Sequence, residues 1–174
     1  MKQSQKLKAE SFYYEKATKM TNRRMWLFQA NPKKYTLLDA LADANTEEDV
    51  WQVTRYKKEI RSGHIGLIWK CGEEKGIYAI VDVTSNVQPL PESPQVARYW
   101  IKDEDRNLII DRVRIHRSLN IRNTPILEEE LIRIPHFNVE NIFRNFRNNT
   151  NFKVENNERD IILELPNRKF GYVP

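Results

Sequence analysis

Tryptophan is the residue type in this sequence that points most clearly to chemistry, because an indole ring can stack on a flat aromatic ligand. Trp51 and Trp69 lie in two apolar segments that are predicted to form strands side by side. Together they could form part of a socket for a planar molecule, and a nucleobase is the ligand we favour. The alternative is that both rings are core residues, as tryptophans on strands usually are.

The segment from Val50 to Val83 must position these rings. Its period-two apolar runs, bounded by glycines, predict a strand, a short basic helix, a strand, a tight turn and another strand. Thr54 is predicted to cap the helix, Arg55 to Arg61, and Gly63 suits the position just past its end.

The chain before this segment predicts one further strand and one further helix. The apolar run Trp26-Leu27-Phe28 is typical of a buried strand. Asn31 is a good helix cap and Pro32 suits a first helical position, so a helix is predicted from Lys33 to Ala44. Three leucines share one face of this helix: Leu37, Leu38 and Leu41.

The chain after Val83 begins with a long irregular stretch, Thr84 to Arg106. Its prolines Pro89, Pro91 and Pro94 predict that it does not pair regularly. Leu108 to Leu119 is predicted to be a strand. Its inward residues are expected to be Val113 and Ile115, and its outward residues Arg112, Arg114 and His116.

Four further elements complete the prediction. Thr124-Pro125 opens a helix through Ile134, and Asn138 caps another helix with Ile142, Phe143 and Phe146 inward. Phe152 to Val154 is expected to be a short closing strand. A last helix, capped by Asn157, carries Ile161, Ile162 and Leu165.

These elements predict an α+β fold, because strands and helices do not alternate regularly. We expect a small mixed or antiparallel β-barrel of five or six strands, with several short helices over its openings. The organisation predicted is a basic arm or helix over residues 1–24 and a single domain over residues 25–174.

Composition bounds the class of protein. The excess of 29 Lys and Arg over 24 Asp and Glu gives a net charge of +5, which permits an anionic partner without requiring one. The lone Cys71 excludes an intrachain disulfide and favours a reducing compartment. No apolar run is long enough to span a membrane. We therefore expect a cytoplasmic protein with no membrane partner.

Several kinds of chemistry have no signature here. There is no phosphate-cradling glycine loop, no nucleophile paired with a base, and no metal-ligand spacing among His64, His116, His136 and Cys71. We therefore expect no cofactor, no metal and no catalysis. A site built from scattered carboxylates would leave no such signature.

Several segments, in order, resemble an EVE domain, a member of the PUA-like superfamily and a relative of YTH domains. The resemblance covers roughly Met25 to Leu165. In one departure, His64 follows Gly63 where such domains often have aspartate. This change affects a turn more than a pocket. The supporting segments are Trp26 to Pro32, Trp51 to Tyr56, Gly63 with Ile68-Trp69, Gly76 to Ala79, Tyr99-Trp100 and Asn149 to Phe152.

The resemblance implies a module that binds nucleic acid and recognises a modified base in an aromatic cage. 5-Methylcytosine or 5-hydroxymethylcytosine in DNA, flipped out of its stack, is the expected target. EVE domains are often fused to restriction machinery, so restriction or other effector proteins are expected partners. YTH relatives read methyladenine in RNA, which makes modified RNA the alternative target.

The resemblance also assigns residues to this site. Trp51 would form one wall, Trp100 with Tyr99 another, and Trp69 the floor or a prop for the walls. The base edge would be read by Asn31, with help from Gln29 or Thr54. Flanking phosphates would be held by Arg55, Lys57 and Lys58, and by Arg112 or Arg114.

Each assignment has an ordinary structural counterpart. Asn31 and Thr54 can be helix caps, and the basic residues can be a solvated face. Two other functional classes stay open. A nucleotide-binding enzyme of PUA-like fold requires a buried pair of titratable groups in the cavity or measured turnover. A purely structural domain predicts no open pocket at Trp51.

Overall fold

The computed structural model describes residues 23–102, 108–138 and 150–170, with side chains as far as residue 165. None of the helices in these ranges is long and apolar enough to cross a membrane. The strands are β1 (Met25–Ala30), β2 (Glu48–Gln52), β3 (Ile65–Lys70), β4 (Gly76–Val83), β5 (Gln88–Leu90), β6 (Ile110–Asn120), β7 (Ile126–Leu127) and β8 (Asn151–Val154). The α-helices are α1 (Leu37–Ala42), α2 (Glu128–Ile132) and α3 (Asn156–Phe170), and 3₁₀ turns occupy Ala44–Thr46 and Ala97–Tyr99.

The strands form one mixed sheet that curls into a half-barrel. Its continuous path is β2-β6-β4-β3-β1-β8, while β5 pairs with β6 and β7 pairs with β4. Only β1 and β3 run parallel among the described pairs, with Met25 opposite Ile65, and the other pairs are antiparallel. The predicted fold class, α+β with a small curled mixed sheet and short helices, is confirmed, with eight strands in the described residues where five or six were expected.

The central strands of this sheet separate two hydrophobic cores. β1 is buried on both faces because successive side chains point to opposite sides of a strand. Trp26 and Phe28 pack into the first core with Val113 of β6. Met25 and Leu27 pack into the second core, which also receives Ile162 of α3. Trp26 is therefore a core residue.

The two edges of the curled sheet, β2 and β8, are joined through the side chain of Asn151, which is 0% exposed. Its Oδ1 accepts hydrogen bonds from the backbone N–H groups of Thr54 (2.9 Å) and Arg55 (3.1 Å), and its Nδ2 donates to the carbonyl of Arg55 (2.7 Å). The Thr150 hydroxyl also donates to the Gln52 carbonyl at 3.3 Å. Hydrogen bonds of the Asn151 side chain thus connect these two edges, whereas backbone hydrogen bonds connect the other strands.

The first predicted helix is shorter than its sequence pattern suggests. It begins at Leu37 rather than Lys33, because the Asn31 side chain accepts from the N–H of Lys33 (2.9 Å) and closes a local turn. Tyr35 is not helical either, because its backbone forms an isolated β-bridge with Trp100. Leu37 and Leu41 are buried as predicted, but Leu38 is exposed.

The predicted helix from Arg55 to Arg61 is wrong. These residues form turns, and Tyr56 adopts a left-handed backbone (φ 58°) that an α-helix does not allow. Thr54 is therefore not a helix cap. Ile60 is nevertheless buried and Tyr56 packs against the same core, and Gly63 has the positive φ (90°) expected of a residue that ends a turn.

Two predictions in the second half of the chain are corrected. Pro89 does pair, because it lies in the three-residue strand β5 opposite Asp111 of β6, and an edge strand tolerates a missing N–H. The helix predicted from Thr124 begins only at Glu128, since Ile126 and Leu127 pair with β4 first.

The ends of the chain are only partly described. The closing strand and the last helix are present as β8 and α3. The predicted arm over residues 1–24, up to residue 22, and the helix expected after Asn138, over residues 139–149, lie outside the described residues.

His64, the departure from the family pattern, has a structural role. Its Nδ1 accepts hydrogen bonds from the indole N–H of Trp26 (2.9 Å) and the backbone N–H of Arg61 (3.2 Å). Burial, followed by the charges of Arg24, Arg23 and Arg61, lowers the pKa of His64 and favours the neutral ring that can accept both bonds. A carboxylate oxygen could accept the same two bonds, which explains why aspartate can occupy this turn.

We predict that Asn151→Ala lowers the free energy of unfolding by about 2–4 kcal/mol, because three backbone groups lose a buried partner. Urea denaturation at neutral pH measures this change. Asn45→Ala is the matched control, since Asn45 is exposed and its side chain bonds only the Asp43 carboxylate. A loss for Asn151→Ala no larger than that of the control would contradict the closing role of this amide.

Candidate functional site

A cavity of about 600 Å³ opens beside Trp51, where the end of β1, strand β2 and the start of β6 meet the loop that contains Trp100. Its size is within the range of pockets that hold small ligands, about 300–1,000 Å³. The lining residues are Gln29, Ala30, Asn31, Lys34, Tyr35, Asp49, Val50, Trp51, Gln52, Glu92, Val96, Trp100, Leu108, Ile110, Arg112 and Thr150.

Three aromatic rings form one group in this cavity. Tyr35 contacts Trp51 edge-on, with ring centroids 6.0 Å apart and an interplanar angle of 82°. It also contacts Trp100, at 5.3 Å and 57°. Tyr35 is buried, whereas both tryptophans are only half-buried and retain surface for a ligand. Burial raises the pKa of the Tyr35 hydroxyl, which therefore stays protonated and able to donate.

Long-range pairing brings the rings together. Trp51 lies in β2 opposite Val113 of β6. Trp100 is held against the segment after β1, because the N–H of Thr36 donates to the carbonyl of Tyr99 and the N–H of Ile101 to that of Lys34, both at 2.9 Å. Tyr35 was missed in the sequence because it lies inside the span predicted to be helical.

Two amides lie at the end of β1. The Oε1 of Gln29 is buried without a hydrogen-bond partner among the described residues. Burial raises the pKa of the Cys71 thiol, against an opposing hydrogen bond from the same Gln29 side chain, in which the NH₂ group is the donor. Asn31 is exposed at the cavity mouth, and its Oδ1 is occupied by the N–H of Lys33. The Asn31 NH₂ group is thus the part of this amide suited to a ligand, so the residue can serve the turn and the cavity together.

Two acids in the cavity were not anticipated. Burial raises the pKa of Asp49 well above its ordinary range, against an opposing hydrogen bond from the N–H of Val50 (2.6 Å), and the charge of Glu92 raises it further. Burial also raises the pKa of Glu92, despite the nearby charge of Arg112. The position of Asp49 could have been predicted, because residues two apart on a strand share a face and Asp49 precedes Trp51 by two.

Arg112 is buried, which corrects its prediction as an outward, phosphate-binding residue. Its guanidinium lies 3.3 Å from the carboxylate of Glu92, and the two side chains are 2% and 4% exposed. It also donates to the carbonyls of Leu90 (2.5 Å) and Leu108 (2.7 Å). These partners occupy the guanidinium. Arg112 therefore stabilises the cavity wall and is not placed to bind a phosphate outside the cavity.

The other predicted base contacts divide into two groups. Trp51, Trp100, Gln29 and Asn31 line the cavity. Three residues do not. Trp69 is buried in the second core. The Tyr99 hydroxyl donates to Asp43 (2.7 Å), and the Thr54 hydroxyl lies 3.1 Å from that of Thr150 in the sheet closure.

The remaining predicted phosphate contacts differ in position. Lys57 lies 2.7 Å from Asp111, which follows the cavity residue Ile110. The guanidinium of Arg55 lies over the ring of Tyr56 at 5.1 Å. Lys58 and Arg114 are exposed and outside the cavity lining. Lys34, which was not predicted, lines the mouth and adds a cation there. Within the described ranges, no three potential ligands cluster to hold a metal ion.

The curled mixed sheet and its aromatic-lined cavity place the molecule among PUA-like domains. The family model for the EVE domain matches residues 24–165, and the chain belongs to the EVE domain family. A search of curated protein sequences found no match.

Experimental structures of other proteins share this fold at low sequence identity. A hypothetical protein from Leishmania major is similar, with a TM-score of 0.58 and 14% identity, over 86% of this chain and 98% of that one. A protein from Agrobacterium tumefaciens has a TM-score of 0.56 and 17% identity, over 82% and 92%. Human THYN1, solved in complex with DNA containing 5-methylcytosine, has a TM-score of 0.52 and 15% identity, over 82% and 96%.

We predict that Asp49→Asn raises the free energy of unfolding at neutral pH. An acid whose folded-state pKa is raised contributes stability that is complete below its ordinary pKa of 3.8 and is lost as pH rises towards the folded value. Asparagine removes that loss and keeps an oxygen for the N–H of Val50. Denaturation between pH 4 and 8 measures the difference, which should widen with rising pH.

Asp39→Asn, at an exposed position in α1 outside the cavity lining, is the matched control. If the profiles of Asp49→Asn and the wild type run parallel, Asp49 ionises normally in the folded protein and the prediction fails.

Proposed function

We propose that this chain is a non-catalytic module that binds nucleic acid and accepts one modified base in the cavity beside Trp51. The target we favour is 5-methylcytosine or 5-hydroxymethylcytosine in DNA, turned out of its strand. The observation that carries the proposal is the aromatic group of Tyr35, Trp51 and Trp100 at an open cavity. A purely structural domain would have no such opening at Trp51. The complex of human THYN1 with 5-methylcytosine DNA supports the same class of ligand.

Stacking supplies the main attraction in this proposal. A base on an aromatic side chain gains about 1–3 kcal/mol, which offsets the few kcal/mol needed to remove the base from its stack. A methyl group adds only about 0.8 kcal/mol of apolar burial, so its recognition requires a close-fitting wall. The half-buried rings of Trp51 and Trp100 are suited to supply that wall.

The cavity acids supply a reason for preferring one base edge over another. The N–H of Val50 occupies Oδ1 of Asp49. Burial raises the pKa of this carboxyl and so favours its protonated form, in which Oδ2 is a donor. Cytosine and adenine present a ring nitrogen that accepts such a bond, whereas thymine, uracil and guanine carry a hydrogen there. The buried Oε1 of Gln29 can accept from the neighbouring amino group.

Cations around the mouth supply attraction that does not depend on sequence. Lys34 lines the cavity, and Lys57 is held by Asp111, which follows the cavity residue Ile110. Arg55, Lys58 and Arg114 are further candidate contacts to phosphates. Cytoplasmic location stays a prediction from composition, and restriction or other effector partners stay predictions from the family resemblance.

We predict that intrinsic tryptophan fluorescence, titrated with oligonucleotides, reports tighter binding to methylated or hydroxymethylated cytosine than to cytosine. Strands with methyladenine, and RNA versions of each, test the alternative of modified RNA. Trp51→Ala should abolish the preference, because one stacking wall is lost, and Trp51→Phe should restore part of it. Lys57→Ala should weaken all strands alike and lower the salt dependence.

Trp69→Phe is the matched control, because Trp69 is a tryptophan on β3, which β6 and β4 separate from β2, and it does not line the cavity. It should keep the wild-type preference even where it lowers stability. A preference that survives Trp51→Ala in a folded protein would show that the base is bound elsewhere.

A second candidate is a nucleotide-processing enzyme, and the pair Asp49 and Glu92 favours it. Both carboxyls lie in one cavity with raised pKa values, as acid–base catalysis requires. Against this candidate, Glu92 is already engaged by Arg112 (3.3 Å) and by the N–H of Ser93 (3.0 Å), which leaves a single carboxyl for a ligand.

We predict that prolonged incubation leaves modified oligonucleotides and free nucleotides unchanged in mass, and that Asp49→Asn changes affinity alone. Mass spectrometry of the incubated substrates measures this. A product that forms with the wild type and disappears with both Asp49→Asn and Glu92→Gln would favour the enzyme.

A further inference from the structure

Large apolar side chains are exposed at the mouth of the cavity. Leu108 is 48% exposed although it lines the cavity, so its side chain spans the boundary between the pocket and the outside. Ile109 is 70% exposed and does not line the cavity, while its neighbour Ile110 does. Ile101, directly after the cavity residue Trp100, is also exposed. Apolar exposure concentrated at one rim is typical of an interaction surface.

The backbone beneath Leu108 and Ile109 is firmly held. Buried Arg112 donates to the carbonyl of Leu108 at 2.7 Å, and Glu92 fixes the same guanidinium. Ile110 is paired with Leu90 of β5. These two side chains therefore project from an anchored strand start, and little conformational entropy would be lost when they are covered.

Cations flank this apolar rim. Lys57 is held by Asp111, two residues after Ile109, and Lys34 lies on the cavity mouth. A duplex that has lost one base from its stack presents matching features: two apolar base faces around a gap, bordered by phosphates. The combination favours a duplex over a purely apolar protein surface.

We propose that Leu108 and Ile109 form a wedge that enters the duplex beside the base turned into the cavity. This inference rests on the proposed function, since the wedge fills the gap that the flipped base leaves. It adds a distinction that base recognition alone does not require, namely that the chain takes its base from paired DNA rather than only from single strands.

The test compares a methylated duplex with the same strand unpaired. Ile109→Ala, and separately Leu108→Ala, should weaken duplex binding about tenfold, as expected for the loss of one large buried apolar group. Binding of Ile109→Ala to the single strand should change less than about twofold, because Ile109 does not line the cavity and no gap needs filling. When the wild type binds, 2-aminopurine placed next to the methylcytosine in the duplex should become more fluorescent. This increase should be lost with the wedge variants.

Ile132→Ala is the matched control, because Ile132 is 55% exposed on α2 and does not line the cavity. It should leave both affinities unchanged. With an abasic site opposite the methylcytosine, the wedge variants should lose less duplex affinity, since the target base is already unpaired.

Three results would overturn the wedge. Equal losses on duplex and single strand for Ile109→Ala would make it an ordinary contact, and no loss on either would make it irrelevant. Self-association of the wild type that Ile109→Ala abolishes, measured by light scattering, would make the rim an interface between copies. If the wild type binds neither form of DNA, the proposed function itself fails, and that outcome is distinct from these three.

Discussion

The bonding of one buried amide, that of Asn151, holds the site together. Because β2 and β8 are the two edges of the sheet and do not pair with each other, the gap between them is bridged by that side chain and by Thr150. Thr150 and Gln52 also line the cavity, and the carbonyl of Thr150 accepts from the N–H of Gln29 at 2.8 Å. The closure of the sheet and the shape of the cavity are therefore set by the same few contacts.

The cavity contains groups that folding alone does not favour. Glu92 is buried and Asp49 is partly buried, with the pKa of both carboxyls raised, and the partners of the Arg112 guanidinium are a buried carboxylate and carbonyl oxygens. Ion pairs of this kind seldom stabilise a fold relative to apolar packing. Buried charged groups that cost folding free energy are more readily explained as parts of a candidate binding site. The two hydrophobic cores beside them supply the stability that these groups do not.

The sequence predicted the six longer strands because alternation is a local signal, but it missed the short strands β5 and β7. The positions of Trp51 and Trp100 followed from the strand pattern together with the family resemblance. The helix over Lys33 to Ala44 was too long because Asn31 satisfies a local turn, and a long-range bridge, invisible in the sequence, takes Tyr35 to Trp100. For the same reason Arg112 was expected outside, since only its distant partner Glu92 makes burial possible. Side chains whose environment depends on contacts far along the chain could not be predicted from spacing.

The order in which the chain contributes to the cavity has a consequence for its synthesis. Gln29 and Thr150 meet in the finished molecule although almost the whole domain separates them in sequence. A ribosome must therefore release β8 before the pocket can exist, and a nascent or truncated chain that ends earlier would have an open sheet edge and no complete binding site. Formation of the candidate site thus depends on synthesis of the chain as far as β8.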